Sequence, residues 1–300
     1  MIDSLSGVVG SLVVTGASGF IGRRLVALAQ ARGIGVVAPR RSDLNWTDAA
    51  AVRAFMATNV PGAVIHLASP GVFASDPNDP SLIDQECAMM HSLLNAAPDG
   101  CRIIGGGSMA EYGQSGRLDE AMVCVPRNAY ACAKYEAGRL LTERLATGAV
   151  TGCHARIFGA YGPGEAPRRL LPMVIAKLRA GEPVALSDCR QQRDFVHVDD
   201  VADALLGLAS APGPIHPVIN IGTGAAIAVR HVVEKVADEL RAPRALLHFG
   251  AVARSPHDQD RLEAGTTRLH ATIGRTPVQR FAHAGPVLPT IDDAMIPAMR

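Results

Sequence analysis

Tyr130 and Lys134 stand four residues apart in NAYACAKYEAGRLL, a spacing that sets both side chains on one face of a helix. A lysine ammonium beside a phenol favours the phenolate, which lowers the phenol's pKa and lets its oxygen donate or accept a proton near neutral pH. Ser108, in IIGGGSMAEYG, offers a hydroxyl that can hold the same substrate oxygen by a hydrogen bond. A Tyr-x-x-x-Lys spacing alone is common on helices and carries little. Its weight comes from LVVTGASGFIGRRL upstream, where Gly16, Gly19 and Gly22 recur three apart directly after an apolar run. Glycines so placed permit a tight turn, let backbone N–H groups approach a pyrophosphate, and let the next helix pack on the strand. The first gap is one residue longer than in the common dinucleotide fingerprint.

These groups need a scaffold, and the apolar pattern supplies one. Leu12 to Val14 reads as a buried strand, and Leu25, Val26, Leu28 and Ala29 recur with helical period until Gly33. Ile34 to Ala38 makes a second strand ending in Arg40, Arg41 and Asp43. At this strand end an acid binds a ribose 2′-hydroxyl and an arginine accommodates a 2′-phosphate. Two arginines ahead of Asp43 favour NADP(H), with NAD(H) possible if Asp43 sits near the adenine. Thr47 to Ala57 reads as a helix capped at Thr47 or Asp48, and Ala63 to Ala68 as a strand whose His66 is a core or adenine-pocket histidine. After a loop from Ser69 to Pro80 and a helix from Asp84 to Ala97, the strand Cys101 to Gly105 delivers Ser108 to the sheet's carboxyl edge, where ligands bind in open α/β sheets. The helix bearing Tyr130 starts near Asn128.

This alternation predicts an α/β fold, a Rossmann-like doubly wound parallel sheet, followed by a smaller C-terminal α/β lobe. Beyond Thr151 the pattern gives a strand (GCHARIF), a helix from Leu170 to Ala180, a short strand from Pro183 to Leu186, and a helix from Val201 to Ala209 capped by Asp199 and Asp200. A glycine turn from Asn220 to Gly224, a helix from Val229 to Leu240 and an irregular tail from Thr276 complete the chain.

Composition narrows the classes. With 300 residues, 48% hydrophobic, 19% charged and a formal net charge of +1, the chain supports a sizeable core and carries no nucleic-acid footprint. The six cysteines form no C-x-x-C pair and lie at no ligand spacing with histidine, so buried free thiols are expected, with neither a metal site nor a disulfide framework. MIDSLSGVVG lacks a basic leader region, and no apolar run reaches the ~20 residues that span a bilayer. A cytoplasmic protein with no membrane partner is the expectation.

The motifs TGASGFIG (Thr15–Gly22), VIHLA (Val64–Ala68), SMAEYG (Ser108–Gly113), YACAK (Tyr130–Lys134), RIFGAYGPGE (Arg156–Glu165), RDFVHVDD (Arg193–Asp200) and INIGTG (Ile219–Gly224) occur in this order. From about Leu12 to about Pro277 the chain resembles the extended short-chain dehydrogenase/reductase superfamily, in its sugar-nucleotide epimerase, dehydratase and reductase branch. The resemblance implies an NAD(P)-binding domain formed mainly by 1–160, with segments about 190–225 returning to it, and a substrate lobe formed mainly by 161–300. It implies catalysis by Ser108, Tyr130 and Lys134, with Lys134 also on the nicotinamide ribose. Dinucleotide contacts would come from Gly16, Ser18, Gly19, Phe20, Ile21 and Gly22, and from Leu67 and Ala68. Arg193 would grip the diphosphate of a nucleoside-diphosphate sugar, and Arg254 resembles a family arginine near the nucleotide; Arg169, just before the helix from Leu170, is a further substrate-binding candidate, while His257 reads as structural. A homodimer is also implied.

The residues after Ser108 discriminate among reactions. Members that eliminate water across C5 and C6 carry Asp-Glu there as acid and base, whereas this chain has Met109 and Ala110. Ala110 also stands where some epimerase-reductases place a cysteine. Two reactions need only Ser108, Tyr130 and Lys134: NADPH reduction of a keto sugar, and 4-epimerisation of a UDP-hexose with tightly held NAD. Arg40 and Arg41 tip the balance toward a 4-keto-6-deoxy sugar-nucleotide reductase. A ketoreductase of a natural-product scaffold would not need Arg193 and Arg254, and a non-catalytic dinucleotide sensor would not need the intact serine, tyrosine and lysine.

Overall fold

Strands whose residues show no alternation of apolar and polar belong to sheets covered on both faces, and LVVT and AVIH, apolar up to their last residue and buried at every position, are of this kind. The computed structural model describes residues 11–70, 76–255, 258–283, 285–288 and 291; the N-terminal decapeptide and His257 lie outside them. The first half alternates through β1 (Leu12–Thr15), α1 (Phe20–Ala31), β2 (Val36–Val37), α2 (Ala49–Asn59), β3 (Ala63–His66), α3 (Ser81–Ala96), β4 (Arg102–Ser108), a short β5 (Gly116–Leu118), α4 (Ala129–Ala146) and β6 (Thr151–Ile157). The second half runs through β7 (Gly159–Tyr161), α5 (Leu170–Arg179), β8 (Val184–Leu186), β9 (Gln192–Arg193), β10 (Phe195–His197) and α6 (Val198–Ser210). It ends with β11 (Val218–Ile221), β12 (Ile227–Ala228), α7 (Val229–Glu239), β13 (Leu247–Phe249), β14 (Arg261–Ala264) and α8 (Thr267–Ile273).

Six strands make one parallel sheet in the order β11-β6-β4-β3-β1-β2. The chain leaves β1 for the edge strand β2 and then crosses back to β3 on the other side. The order therefore reverses between β1 and β3, and a crevice opens beyond their carboxyl ends. Leu25 and Ala29 of α1, Val201 and Leu205 of α6, and Leu269 of α8 pack on one face of the sheet against Val14, Ile65 and Ile219. Val52 and Met56 of α2, Met90 and Leu93 of α3, and Ala137 and Leu141 of α4 pack on the other against Val13, Val64 and Ile103. Each such Leu or Ile contributes about 1.5–3 kcal/mol relative to exposure. The doubly wound α/β architecture expected from the sequence is thus present. A separate core joins α5, β8, α7 and β13 through Leu171, Val174, Val184, Val233, Val236 and Leu247.

Local expectations change in four places. The tail from Thr276 is irregular but packed: Phe281 is 1% exposed, with ring centroids 4.8 Å from Tyr161 and 5.5 Å from Phe195, and Val287, Leu288 and Ile291 join the same core. A few well-placed apolar side chains anchor it without any period. The helix expected from Val201 begins at Val198, and its cap is His197, whose Nδ1 accepts from the Asp199 N–H at 3.2 Å. Asp199 and Asp200 instead pair with Arg24 at 2.6 Å and Arg280 at 2.9 Å. The helix expected from Asp84 starts at Ser81, whose N–H donates to Asp79 Oδ1 at 2.9 Å. Of the cysteines, all free, Cys101, Cys153 and Cys189 are buried, while Cys87, Cys124 and Cys132 are only half-buried. Among the described residues no helix is long and apolar enough to cross a membrane.

Candidate active site

The glycine turn lies at the strand-order reversal. Gly16 adopts φ +66°, and a Cβ there would sit 2.6 Å from the carbonyl of Leu67, at the end of β3; a Cβ on Gly22 would sit 2.2 Å from the Gly16 oxygen. The first turn of α1 is therefore pressed against both strand ends. Thr15 Oγ1 ties those ends together: it accepts from the Ala68 N–H at 2.9 Å and bonds His66 Nδ1 at 2.9 Å. Burial pushes His66 down to about 4, so at neutral pH it is an uncharged core histidine. Helix α1 is capped by Gly19 with no side-chain hydrogen bond and no acid in its first turn, and Ser18 and Gly19 are exposed. Unsatisfied N–H groups at a positive helix end, reached over backbone with no Cβ in the way, fit a dinucleotide pyrophosphate.

Arg40 and Arg41 are exposed beyond β2, and among the described residues neither guanidinium makes a hydrogen bond or ion pair. Asp43 is already engaged: it accepts from the Arg40 N–H and the Ser42 hydroxyl, each at 2.9 Å. Those bonds hold its carboxyl below the ordinary range. It closes the turn that presents the two arginines.

Ser108 ends β4 and caps a 3₁₀ turn, Met109–Tyr112, accepting from the Ala110 N–H at 3.2 Å. Three residues on, Glu111 accepts from the Ser108 N–H at 2.7 Å, from His154 Nε2 at 2.9 Å and from Arg156 Nε at 2.7 Å. Glu111 is 0% exposed. Burial alone would raise its pKa, but His154, Arg156 and the Ser108 N–H together pull it below the ordinary value, so it is ionised.

Helix α4 starts at Asn128, whose Oδ1 accepts from the Ala131 N–H at 2.8 Å. In the first turn, Tyr130 comes beside the Ser108 side chain, which brings two of the three sequence-selected residues together. Lys134, the third, is buried on the same face, and its Nζ lies 2.5 Å from Glu86 Oε1 on α3. The Ser69 hydroxyl donates to the other Glu86 oxygen at 2.7 Å. Burial works against the Lys134 charge, but Glu86 and Tyr130 outweigh it and its pKa is raised. The Tyr130 phenol is also raised: burial outweighs the lowering by Lys134 and Ser108, and Glu86 and Glu111 add to the rise. The depressed phenol expected from the Tyr-Lys spacing is thus reversed, chiefly because the phenol is buried, with the carboxylate facing the ammonium adding to the rise.

Arg193 and Arg254 converge on one carboxylate. An Arg193 guanidinium nitrogen pairs with Asp258 Oδ1, and Arg254 Nε bonds Asp258 Oδ2 at 3.1 Å while its Nη1 reaches Asp260 at 2.7 Å. Arg169 is not drawn into this group; it lies half-exposed and pairs with Glu165 at 3.2 Å. Glu86, Glu111 and His154 were not selected from the sequence, although two of them carry a signal. Ser108 to Glu111 is a capping-box spacing, and Glu86 interrupts the apolar stripe Leu82, Met89, Met90, Leu93.

The family model described as "NAD dependent epimerase/dehydratase family" matches residues 12–222. A dTDP-6-deoxy-L-talose 4-dehydrogenase (NAD(P)(+)) of Kitasatospora kifunensis is 27% identical over 298 residues, 91% of this chain and 92% of that protein. A dTDP-4-dehydrorhamnose reductase of Streptomyces griseus is 30% identical over 223 residues, 70% of each chain. Among solved structures, MoeE5 in complex with UDP-glucuronic acid and NAD is 30% identical with a TM-score of 0.75, over 89% of this chain and 94% of that one.

Proposed function

Since the chain belongs to the NAD-dependent epimerase/dehydratase family, whose model spans residues 12–222, we propose that it is an NADPH-dependent reductase of a 4-keto-6-deoxy nucleoside-diphosphate sugar. The observation that carries this reading is the meeting of Ser108 at the end of β4 with Tyr130 and Lys134 on the first turns of α4, with no acid or base at Met109 and Ala110. The Tyr130 phenol carries its proton at neutral pH and can pass it to an alkoxide developing on the substrate oxygen, which is what carbonyl reduction asks of it. The Streptomyces relative's name states a reduction of this kind, and the Kitasatospora relative's name states a dehydrogenation at the same sugar position.

In this reading the dinucleotide lies across the glycine turn, held by Gly16, Ser18, Gly19, Phe20, Ile21 and Gly22 and bordered by Leu67 and Ala68, with a 2′-phosphate on Arg40 and Arg41 and the nicotinamide ribose on Lys134. When bound in its reduced form it supplies a hydride. Ser108 donates a hydrogen bond to the substrate carbonyl oxygen and orients it. Tyr130 gives its proton to that oxygen as negative charge develops there, so hydride on carbon and proton on oxygen turn C=O into CH–OH. Lys134 keeps its ammonium beside the phenolate left behind. Arg193 and Arg254 bind the diphosphate by exchanging part of their hold on Asp258 for phosphate oxygens, whose geometry the guanidinium fork matches. The second core, around α5 and α7, forms the substrate lobe. We further read the enzyme as a cytoplasmic homodimer, for which sedimentation of the purified chain is the check.

The deciding experiment is to identify any dinucleotide in the protein as purified, titrate it with NADPH and NADH, and then supply a dTDP-4-keto-6-deoxy sugar. Empty protein that prefers NADPH and consumes it stoichiometrically with the ketone supports the reading. Protein that retains stoichiometric NAD and leaves the keto sugar unreduced overturns it.

A further inference from the structure

Glu86 has no packing reason to be a carboxylate. It lies on the apolar stripe of α3 among Leu82, Met89, Met90 and Leu93, with its side chain 4% exposed, and an unpaired charge there would be strongly unfavourable. It is paired instead, to Lys134 on one oxygen and to Ser69 on the other. Buried ion pairs are often no more stabilising than apolar residues of the same volume, so stability alone gives no reason for it. Its position does: Lys134 stands four residues from Tyr130 on the same face of α4.

We propose that Glu86 is a positioning residue for the reaction, its carboxylate cancelling the Lys134 charge so that Tyr130 is kept as a proton donor and the site is biased toward carbonyl reduction. A lone ammonium acts on the phenol as a full charge, whereas an ammonium 2.5 Å from a carboxylate acts as a dipole whose field falls faster with distance. Every element around Tyr130 contributes to the balance. Its own helix brings Lys134, β4 brings Ser108, α3 brings Glu86, and the turn after β4 brings Glu111. Glu111 is already matched by His154 and Arg156 on β6. His66 on β3, which also senses the Glu86–Lys134 pair, is neutral. Lys134, the cation that acts on Tyr130, is therefore compensated, and burial, the larger cause, is left to raise the phenol.

The inference rests on the reductase reading for its direction, and its test separates the two. In the full-length enzyme, Glu86→Gln keeps shape and removes charge. The pH midpoint of the reverse reaction, alcohol oxidation, which needs the phenolate, then moves down by about one pH unit. Oxidation below the wild-type midpoint rises about tenfold. Glu86→Asp, which keeps the charge, restores a midpoint close to wild type. An active Glu86→Gln enzyme with the wild-type midpoint overturns the proposal. Should that variant fail to fold, the double variant Glu86→Met with Lys134→Met, which leaves no buried charge unpaired, decides by a difference absorbance titration against the same variant carrying Tyr130→Phe: a Tyr130 phenol ionising within about half a pH unit of wild type supports the proposal, and one ionising about a unit or more above wild type, as loss of an uncompensated cation requires, overturns it. Loss of keto-sugar reduction in the wild type at every pH would sink the reductase reading, while the titration would still report on Glu86.

Discussion

The imidazole of His154 closes so tightly against Gly138 that a Cβ on that glycine would lie 2.6 Å from ring atom Cδ2. A Cβ on Gly107 would lie 2.3 Å from Nε2 of the same ring. The ring is thus a spacer between the end of β4, which carries Ser108, and α4, which carries Tyr130 and Lys134. Its hydrogen bond to Glu111, at 2.9 Å, fixes its orientation. The histidine and the two glycines thus let α4 close tightly on the end of β4.

Gly138→Ala tests that spacing with a sign that helix propensity alone would get wrong. In an exposed helix interior the change would stabilise by about 1 kcal/mol. Here the methyl group must displace an imidazole held in a buried network, and overpacking of that kind costs about 1–3 kcal/mol. Thermal unfolding should show a lower Tm for the variant, together with a reduced kcat as Tyr130 moves relative to Ser108. A Tm equal to or above wild type would show that the ring has room to move.

Glu111 makes stability depend on pH in a defined window. Its folded pKa is below its ordinary value, so its contribution is fully present above the ordinary carboxylate range and is lost as the pH falls through the folded value. Glu111→Gln leaves Arg156 buried without its anion, a loss of about 3–5 kcal/mol at neutral pH. Denaturant unfolding of both proteins from pH 7 downward should show this penalty steady to about pH 5 and shrinking below about pH 4. A penalty that does not change with pH would mean that the carboxyl is not ionised in the folded protein.

Tyr130→Phe removes one hydroxyl from the site and no charge. Dinucleotide binding, which the glycine turn carries, should be retained, while turnover falls by at least about 10²–10⁴. Titration with NADPH and a rate measurement on the same preparation give both numbers, and near-wild-type turnover would remove the tyrosine from its role.

Much of this was legible because the chemistry follows local spacing. Three glycines after a buried strand announce the turn, and a four-residue interval puts Tyr130 and Lys134 on one face. What escaped depends on partners distant in sequence. Glu86 reaches Lys134 across 48 residues, and Glu111 meets His154 across 43, so neither pairing leaves a periodic trace. The raised pKa of Tyr130 is hidden in the same way: spacing shows the lysine next door but neither the burial of the phenol nor the carboxylate from another helix that offsets the lysine. Asp258 stands four residues from Arg254, but its pairing with Arg193 spans 65 residues and is equally invisible. The packed tail was missed because Phe281 and Leu288 anchor it singly, with no period to read.

Arg40 and Arg41 carry the choice of cofactor, and their freedom makes the test clean. Among the described residues neither guanidinium is held by an acid, and the nearby Asp43 is turned back onto the Arg40 N–H at 2.9 Å. Replacing both by alanine should therefore leave the fold intact, because no ion pair is broken. A charge-assisted hydrogen bond contributes about 1.5–3 kcal/mol, so losing one or two bonds to a 2′-phosphate weakens NADPH binding at least about tenfold. NADH, which has no phosphate at that position, should bind the variant and the wild type within about a factor of two, since removing exposed charge alone changes little. Equal weakening of the two cofactors would show that the arginines act only through the general potential of the surface, and the preference for NADPH would then need another source.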